Sequence, residues 1–116
     1  MLFRSRRGIT LDLCPTSNVQ AGIVRSRATH PLAVLFRRGV GVTLSTGDRT
    51  VSDITLTEEF TFAMTEIGLR PKELWAINRH ALDVAFAADE DLEPLRAEFD
   101  AWASRQPELL GRVPGR

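Results

Sequence analysis

Three segments decide the fold, and in chain order they read Ile9-Thr10-Leu11-Asp12-Leu13-Cys14, Thr29-His30-Pro31-Leu32-Ala33-Val34-Leu35-Phe36-Arg37-Arg38 and Gly39-Val40-Gly41-Val42-Thr43-Leu44-Ser45-Thr46. The first and third are short apolar runs with β-branched residues, bounded by glycine or proline, which predicts two strands. The middle segment has a proline in its first turn and two arginines in its last turn, which is typical of a helix. A strand, a helix and a strand in this order form a βαβ unit, so we expect two parallel neighbouring strands.

The sequence after these segments predicts helices. Thr55-Leu56-Thr57-Glu58 matches a capping box and opens a helix that ends at Gly68. Pro71 opens a second helix, and a third is expected from about residue 91 to residue 103, because apolar residues recur there at three- and four-residue spacings. The fold class is therefore α/β, with helices following a βαβ unit.

A sheet of two parallel strands is incomplete. Parallel sheets are normally covered on both faces and contain more strands, and the sequence supplies no third strand pattern. We expect residues 1–104 to be part of a larger domain that another polypeptide or a further segment completes. Residues 105–116 contain two prolines and two glycines and are expected to form a flexible tail.

The charge pattern is asymmetric although the formal net charge of the 116 residues is zero. Residues 1–50 contain eight arginines and two aspartates, whereas the remaining residues contain seven basic and thirteen acidic side chains. The arginines at the start of the chain, Arg4, Arg6 and Arg7, have no interleaved aromatic residues on which nucleic-acid bases could stack. We therefore favour a solvated basic end over nucleic-acid binding.

The composition also indicates a cellular location. No run approaches the ~20 apolar residues that a membrane span requires, and no apolar run follows the first charges, as a secretory signal requires. Cys14 is the single cysteine, which excludes an internal disulfide and a cysteine-cluster metal site. We expect a cytoplasmic protein that does not bind membranes.

Polar residues follow both predicted strands, at positions 14–18 and 46–49. Ligands of parallel α/β folds bind at the carboxyl ends of the strands. Asp48 is the strongest candidate for a functional residue there, because its carboxylate could bind a ligand or accept a proton. A turn residue or a helix cap is an equally weighted interpretation of Asp48.

Three other reactive side chains have structural interpretations that we favour. Cys14 is expected to be a buried thiol, His30 a helix cap, and His80 a surface or partly buried histidine without a second histidine at metal-ligand spacing. Gly39-Val40-Gly41 lacks the third glycine and the following helix of a dinucleotide-binding fingerprint.

Four ordered segments are similar to the motifs of one enzyme family. Leu13–Asn18 is similar to C-P-x-S-N, His30–Leu32 to the H-P that opens a helix, Val42–Asp48 to V-x-L-N-T-D-D-P, and Ser52–Glu59 to S-x-x-x-T-L-x-x-E-Y, with Phe60 in place of the tyrosine. On these segments, from about Ile9 to Ala103, the chain resembles the adenosine deaminase family of metal-dependent amidohydrolases. The resemblance implies that the two strands are the seventh and eighth of a (β/α)₈ TIM-type barrel that is incomplete in this chain.

The resemblance also implies a chemistry. Zinc in the family activates a water that attacks the purine carbon bearing the amino group, which converts adenosine to inosine and ammonia. The purine nucleoside is the implied partner, and adenine or a modified purine stays open as the substrate.

Carried over residue by residue, the resemblance leaves this chain with few functional groups. In the family's T-D-D the first aspartate ligates zinc and the second contacts the purine, so Asp48 is the expected substrate-binding residue. Gly47 occupies the position of the zinc-ligand aspartate. The family's H-x-H, its H-A-G-E with the catalytic glutamate, and its further zinc histidine would all precede Met1. We therefore expect no catalytic residue and no metal ligand here, and no zinc binding by this chain alone.

Three functional hypotheses follow. The chain could be the last quarter of an adenosine deaminase, truncated, inactive alone and in need of a complementing N-terminal fragment. It could instead be a non-enzymatic remnant that forms homo-oligomers or binds another partner, because an incomplete barrel exposes strand edges and apolar helix faces. Nucleic-acid binding through the basic half is the third and weakest hypothesis.

Overall fold

The computed structural model describes residues 8–109 of the chain. The strands and helices in these residues are β1 (Thr10–Leu13), α1 (Pro15–Gln20), α2 (Leu32–Arg37), β2 (Gly41–Leu44), α3 (Arg49–Ser52), α4 (Leu56–Phe62), α5 (Pro71–Val84) and α6 (Asp89–Ala103). Arg27–Thr29 and Pro107–Leu109 form 3₁₀ turns, and Ala63–Ile67 continues α4 as a π-helical turn. The predicted βαβ unit followed by helices is confirmed.

β1 and β2 form a parallel pair whose register runs from Thr10 opposite Gly41 to Leu13 opposite Leu44. Within residues 8–109 no third strand joins this sheet. Parallel pairing places the carboxyl ends of both strands at the same edge. The residues that follow Leu13 and Leu44 are therefore neighbours in space.

One face of the sheet is covered by helices. Val42 and Leu44 of β2 are buried in a cluster with Phe36 of α2 and with Leu74 and Ile77 of α5. Each such side chain contributes about 1.5–3 kcal/mol when it is fully buried. This cluster holds α2 and α5 against the same face.

The opposite face of the sheet is polar and open. Asp12 is exposed and accepts hydrogen bonds from Thr43 Oγ1 at 2.9 Å and from Ser45 Oγ at 3.2 Å. A face of this kind can remain hydrated, since its polar groups pair with one another and with water. The sheet is thus covered on one side only.

An ion pair joins α2 to the start of α5. Arg37 donates from Nε to Glu73 Oε2 and from a terminal nitrogen to Oε1, each at 3.0 Å, and the Arg70 backbone N–H donates to Oε1 at 3.0 Å. Burial raises the pKa of Glu73, but the hydrogen bonds and charge of Arg37 and the Arg70 N–H outweigh burial and leave this pKa below its ordinary value. The carboxylate is therefore held in its ionised form.

Several helix boundaries differ from the prediction for local reasons. The capping box predicted at Thr55 is present, with Glu58 N–H donating to Thr55 Oγ1 and Thr55 N–H donating to Glu58 Oε1, both at 3.2 Å. The helix predicted over residues 29–39 is shorter, because residues 27–29 form a separate 3₁₀ turn and His30 is extended. The last helix begins at Asp89, two residues before the predicted start.

Some predictions concern the chain ends. α6 ends at Ala103 and the turn at Pro107–Leu109 follows it. Residues 110–116 of the predicted flexible tail lie outside the described residues, as do the basic residues near the amino terminus, Arg4, Arg6 and Arg7. The flexibility of the tail therefore stays a prediction.

We predict that Gly41→Ala destabilises the fold. A Cβ at Gly41 would lie 3.0 Å from His80 Nε2 and 3.1 Å from Thr10 Oγ1, and these two atoms are themselves hydrogen-bonded at 3.0 Å. We expect the free energy of unfolding in urea to fall by about 1–2 kcal/mol. The same substitution in a His80→Ala background should cost less, and equal costs in both backgrounds would contradict the close approach of α5 to β2.

Candidate functional site

The carboxyl ends of β1 and β2 meet, as their parallel register requires. A Cβ built at Gly47 would lie 3.5 Å from Cys14 Sγ and 3.7 Å from Ser17 Cβ. The segment after β1 and the segment after β2 are therefore in contact. The structure brings together the two polar segments that the sequence analysis singled out, and we refer to residues 14–18 and 45–48 as the strand-end site.

Cys14 is the first residue of the strand-end site and is in contact with Ser45. Its Sγ is 3.1 Å from Ser45 Oγ, and Ser45 Oγ also donates to Asp12 Oδ2. Cys14 is half-buried rather than buried, which corrects the predicted degree of burial.

Asp48 starts the short helix α3. Its Oδ1 accepts hydrogen bonds from the backbone N–H groups of Thr50 at 3.0 Å and Val51 at 3.2 Å. The cap interpretation of Asp48 is thus realised in the structure. The side chain is exposed, and both cap bonds use the same oxygen, so Oδ2 takes no part in the cap.

Gly47 has a left-handed backbone, with φ of +67°. It supplies no side chain that could ligate a metal. Within residues 8–109, moreover, no group of three or more histidine, cysteine, aspartate or glutamate side chains is arranged to hold a metal ion. The residues described here do not by themselves fit a zinc site.

His30 is buried and stabilises the segment after β1. Its Nδ1 accepts a hydrogen bond from the Leu32 N–H at 3.1 Å, and its Nε2 is 2.9 Å from Asn18 Oδ1. Nδ1 must be unprotonated to accept, so Nε2 carries the proton and donates it to Asn18. Burial lowers the pKa of His30. The predicted capping role is confirmed, since His30 satisfies an N–H group at the start of α2.

His80 lies at the other end of the strands. Its Nε2 is 3.0 Å from Oγ1 of Thr10, the first residue of β1. It is half-buried, as predicted. Because ligands of parallel sheets bind at the carboxyl ends, His80 is not part of the strand-end site.

The sequence pattern did not predict one buried polar contact at the strand-end site. Glu59 of α4 is fully buried, and its Oε1 accepts hydrogen bonds from the N–H of Thr16 at 2.9 Å and from the Thr16 hydroxyl at 3.1 Å. A signal was present in the sequence, because Glu59, Ala63 and Ile67 recur every four residues and belong to one helix face. Glu59 thus points inward with two apolar residues.

The larger cavities lie elsewhere. A groove of about 370 Å³ runs between α4, α5 and α6 and is lined by residues that include Phe60, Trp75, Asn78 and Trp102. None of its lining residues belongs to the strand-end site. The groove therefore adds nothing to the chemistry at the strand ends.

Comparison with known proteins agrees with this geometry. The family model described as adenosine deaminase matches residues 1–102. The chain belongs to the adenosine deaminase family. It is 40% identical over 82 residues to an adenosine deaminase of Shewanella pealeana, which is 71% of this chain and 25% of that protein. It is 38% identical over 92 residues to an adenosine deaminase of Lacticaseibacillus paracasei, which is 79% of this chain and 27% of that protein.

Solved structures of deaminases have the same fold over this part of the chain. The N6-methyl-AMP deaminase of Arabidopsis thaliana is 33% identical with a TM-score of 0.77, over 90% of this chain and 30% of that one. The adenine deaminase of Arthrobacter aurescens is 21% identical with a TM-score of 0.83, over 89% of this chain and 32% of that one, and this likeness shows the fold alone. The predicted α/β class and the partial TIM-type barrel are confirmed.

The chain spans about a quarter of the length of the relatives it matches, namely 25% of the S. pealeana protein and 27% of the L. paracasei protein.

None of the helices between residues 8 and 109 is long and apolar enough to cross a membrane.

We predict that His30 makes the stability depend on pH. Because burial lowers the pKa of His30 in the folded chain, the unfolded chain binds a proton more readily as the pH falls below about 6.5. The free energy of unfolding should decrease below that pH, by at most about 1.4 kcal/mol per pH unit for this one proton. Urea unfolding between pH 7.5 and 5.5 measures the slope.

The comparison variant is His30→Gln, which cannot titrate in this range. It should be less stable than the wild type at pH 7.5, because the contacts to Asn18 and Leu32 are altered. Its stability should also change less with pH. If the free energy of unfolding changed with pH equally in the wild type and in His30→Gln, the assignment of the pH dependence to His30 would be contradicted.

Proposed function

We propose that this chain is a segment of a purine deaminase that is inactive alone, and that it completes a deaminase barrel when the remaining strands are supplied. The strand-end site carries this proposal. It joins the two segments that resemble the deaminase motifs, yet the residues from 8 to 109 hold no group of side chains that fits a metal. Adenosine is the proposed substrate, with adenine or a modified purine as alternatives that the names of the relatives support.

Asp48 is the proposed substrate-binding residue. Two backbone N–H groups hold its Oδ1, so the carboxylate is oriented by α3 before any ligand binds. Its Oδ2 is then free to accept a hydrogen bond from the purine. A side chain with a fixed orientation loses little conformational entropy on binding.

The proposal also includes a cellular location and a partner. A cytoplasmic location is supported by a single cysteine that needs no oxidising compartment. The proposed partner is an N-terminal deaminase fragment that pairs with the free edges of β1 and β2. Since the chain's own residues do not fit zinc, we assign no metal-dependent step to it.

We predict that activity requires complementation. The experiment expresses the full chain with the L. paracasei adenosine deaminase from which the matched C-terminal quarter has been removed. With zinc and adenosine, each part alone should release no ammonia above background, and the mixture with a Gly47→Asp chain should release ammonia. Asp48→Asn in that chain should lower kcat/KM by about tenfold or more.

Two results would contradict this proposal. Ammonia release by the purified wild-type chain alone would overturn its inactivity in isolation. A stable complex in which Gly47→Asp with Asp48 intact remains inactive would overturn the role of this chain as a deaminase segment. Thr50→Val serves as a control, because its side chain is exposed and makes none of the Asp48 cap bonds.

We predict that Gly47→Asp increases zinc binding by the completed barrel. The new Cβ would make ordinary contacts of 3.5–3.7 Å, and aspartate tolerates a left-handed backbone better than most residues. Metal analysis should find about one zinc per complex for Gly47→Asp, and less for the wild type and for Gly47→Ala. Gly47→Ala imposes a similar backbone cost of about 1 kcal/mol without a carboxylate. Equal zinc contents in all three complexes would contradict the assignment of position 47.

A second candidate function is a non-enzymatic, self-associating module. Three apolar side chains are strongly exposed: Ile23 at 74%, Val51 at 79% and Phe86 at 110%. Exposed apolar groups and free strand edges favour association between copies. Sedimentation of the purified chain separates the two candidates, because stable oligomers that exclude the N-terminal fragment favour the module.

A further inference from the structure

Two glutamates with no exposed surface lie on neighbouring helices. Glu59 belongs to α4 and Glu73 to α5, and both are 0% exposed. Burying a carboxylate is unfavourable unless hydrogen bonds and opposite charge compensate it. Arg37 and the Arg70 N–H provide this compensation at Glu73. Glu59 has no direct contact with a cation among the described residues, so it requires a separate explanation.

Within the described residues, the hydrogen bonds of the Glu59 carboxylate all go to a single residue. Its Oε1 accepts from the Thr16 N–H at 2.9 Å and from the Thr16 hydroxyl at 3.1 Å. Within the described part of the chain its Oε2 has no hydrogen-bond partner. The polar contacts that retain this carboxylate are therefore contacts with the segment that follows β1.

Thr16 links Glu59 to a positive charge. Its hydroxyl donates to Glu59 and accepts a hydrogen bond from Arg27 Nε at 3.0 Å. The Arg27 guanidinium lies 3.7 Å from the centroid of the Phe62 ring, and Phe62 is the last residue of α4. One hydroxyl thus joins α4, α1 and the 3₁₀ turn that contains Arg27.

Glu59 also completes the start of α1. The N–H groups in the first turn of a helix have no partner within the helix. Cys14 is the N-cap residue of α1 and makes no side-chain cap bond. The carboxylate of Glu59, 43 positions away in the sequence, accepts from the Thr16 N–H in that first turn.

We infer that Glu59 is a positioning residue, which acts through Thr16 to hold residues 14–18 against Gly47 in the strand-end site. Cys14 and Ser17, on either side of this anchor, are the residues that a Gly47 side chain would touch. The significance of this site for substrate binding rests on the proposed function. The anchoring of residues 14–18 by Glu59 does not rest on the proposed function, and its test needs no measurement of enzyme activity.

The single thiol of the chain reports on the anchor. Cys14 is two residues from Thr16 and is the only cysteine, so a change in the rate of its reaction with a thiol reagent reports on a change in the exposure of this segment. Glu59→Leu removes both acceptor contacts and leaves the Thr16 N–H unsatisfied. We expect the labelling rate of the folded chain, far below its Tm, to rise by about tenfold.

The matched control is Glu73→Leu, which removes the other fully buried glutamate. It should lower the Tm and leave the labelling rate within about twofold of the wild type, since Glu73 does not contact residues 14–18. Glu59→Gln is the conservative variant. It keeps a carbonyl acceptor for Thr16 and should restore most of the protection.

A second pair of variants, at Thr16, tests the inference if Glu59→Leu does not fold. Thr16→Val removes the hydroxyl with little change of shape and should increase labelling, whereas Thr16→Ser should not. The labelling rates of Glu59→Leu and Glu73→Leu are compared at the same number of degrees below the Tm of each variant. Equal increases in labelling rate for the two variants would overturn the inference. A wild-type rate in Thr16→Val, or in a folded Glu59→Leu chain, would also overturn it. Failure of the complementation assay would overturn the proposed function and leave the labelling result unaffected.

Discussion

The parallel pairing of β1 with β2 is the constraint on which the rest of the structure depends. Parallel strands need a crossover connection, and α2 supplies its helix. The pairing also places both carboxyl ends at one edge, which brings Cys14 next to Gly47. Because the side chains of a strand alternate between faces, one face packs on α2 and α5 and the other presents Asp12 and Thr43.

Two buried carboxylates then fix the helices around this pair, and they do so in different ways. Glu73 is paired directly with Arg37, which joins α5 to α2 behind the apolar face. Glu59 is linked to Arg27 through the hydroxyl of Thr16 and joins α4 to the segment after β1. The first contact supports the core. The second connects α4 to the strand-end site through Thr16.

Features with local signals could be predicted from the sequence. The βαβ unit, the capping box at Thr55 and the helix start at Pro71 each depend on residues within a few positions of one another. The helix α1 was not predicted, because Pro15 ends a strand and also suits the first position of a helix. The burial of Glu59 depends on Thr16, 43 positions away. Such a pairing exists only in the folded chain, although the four-residue spacing with Ala63 placed Glu59 on an inward face.

The strand-end site retains the backbone of a deaminase more completely than its chemistry. At Gly47 the φ of +67° is one that aspartate can adopt, and a Cβ there meets Cys14 and Ser17 at ordinary van der Waals distances. The segment therefore has room for an aspartate side chain at position 47. The wild-type chain has a glycine there, so this backbone carries no carboxylate although it could hold one. Asp48, the next residue, caps α3 with its side chain. Replacement of Asp48 by a residue that cannot cap would therefore lower the stability of the fold as well as remove a carboxylate from the strand-end site.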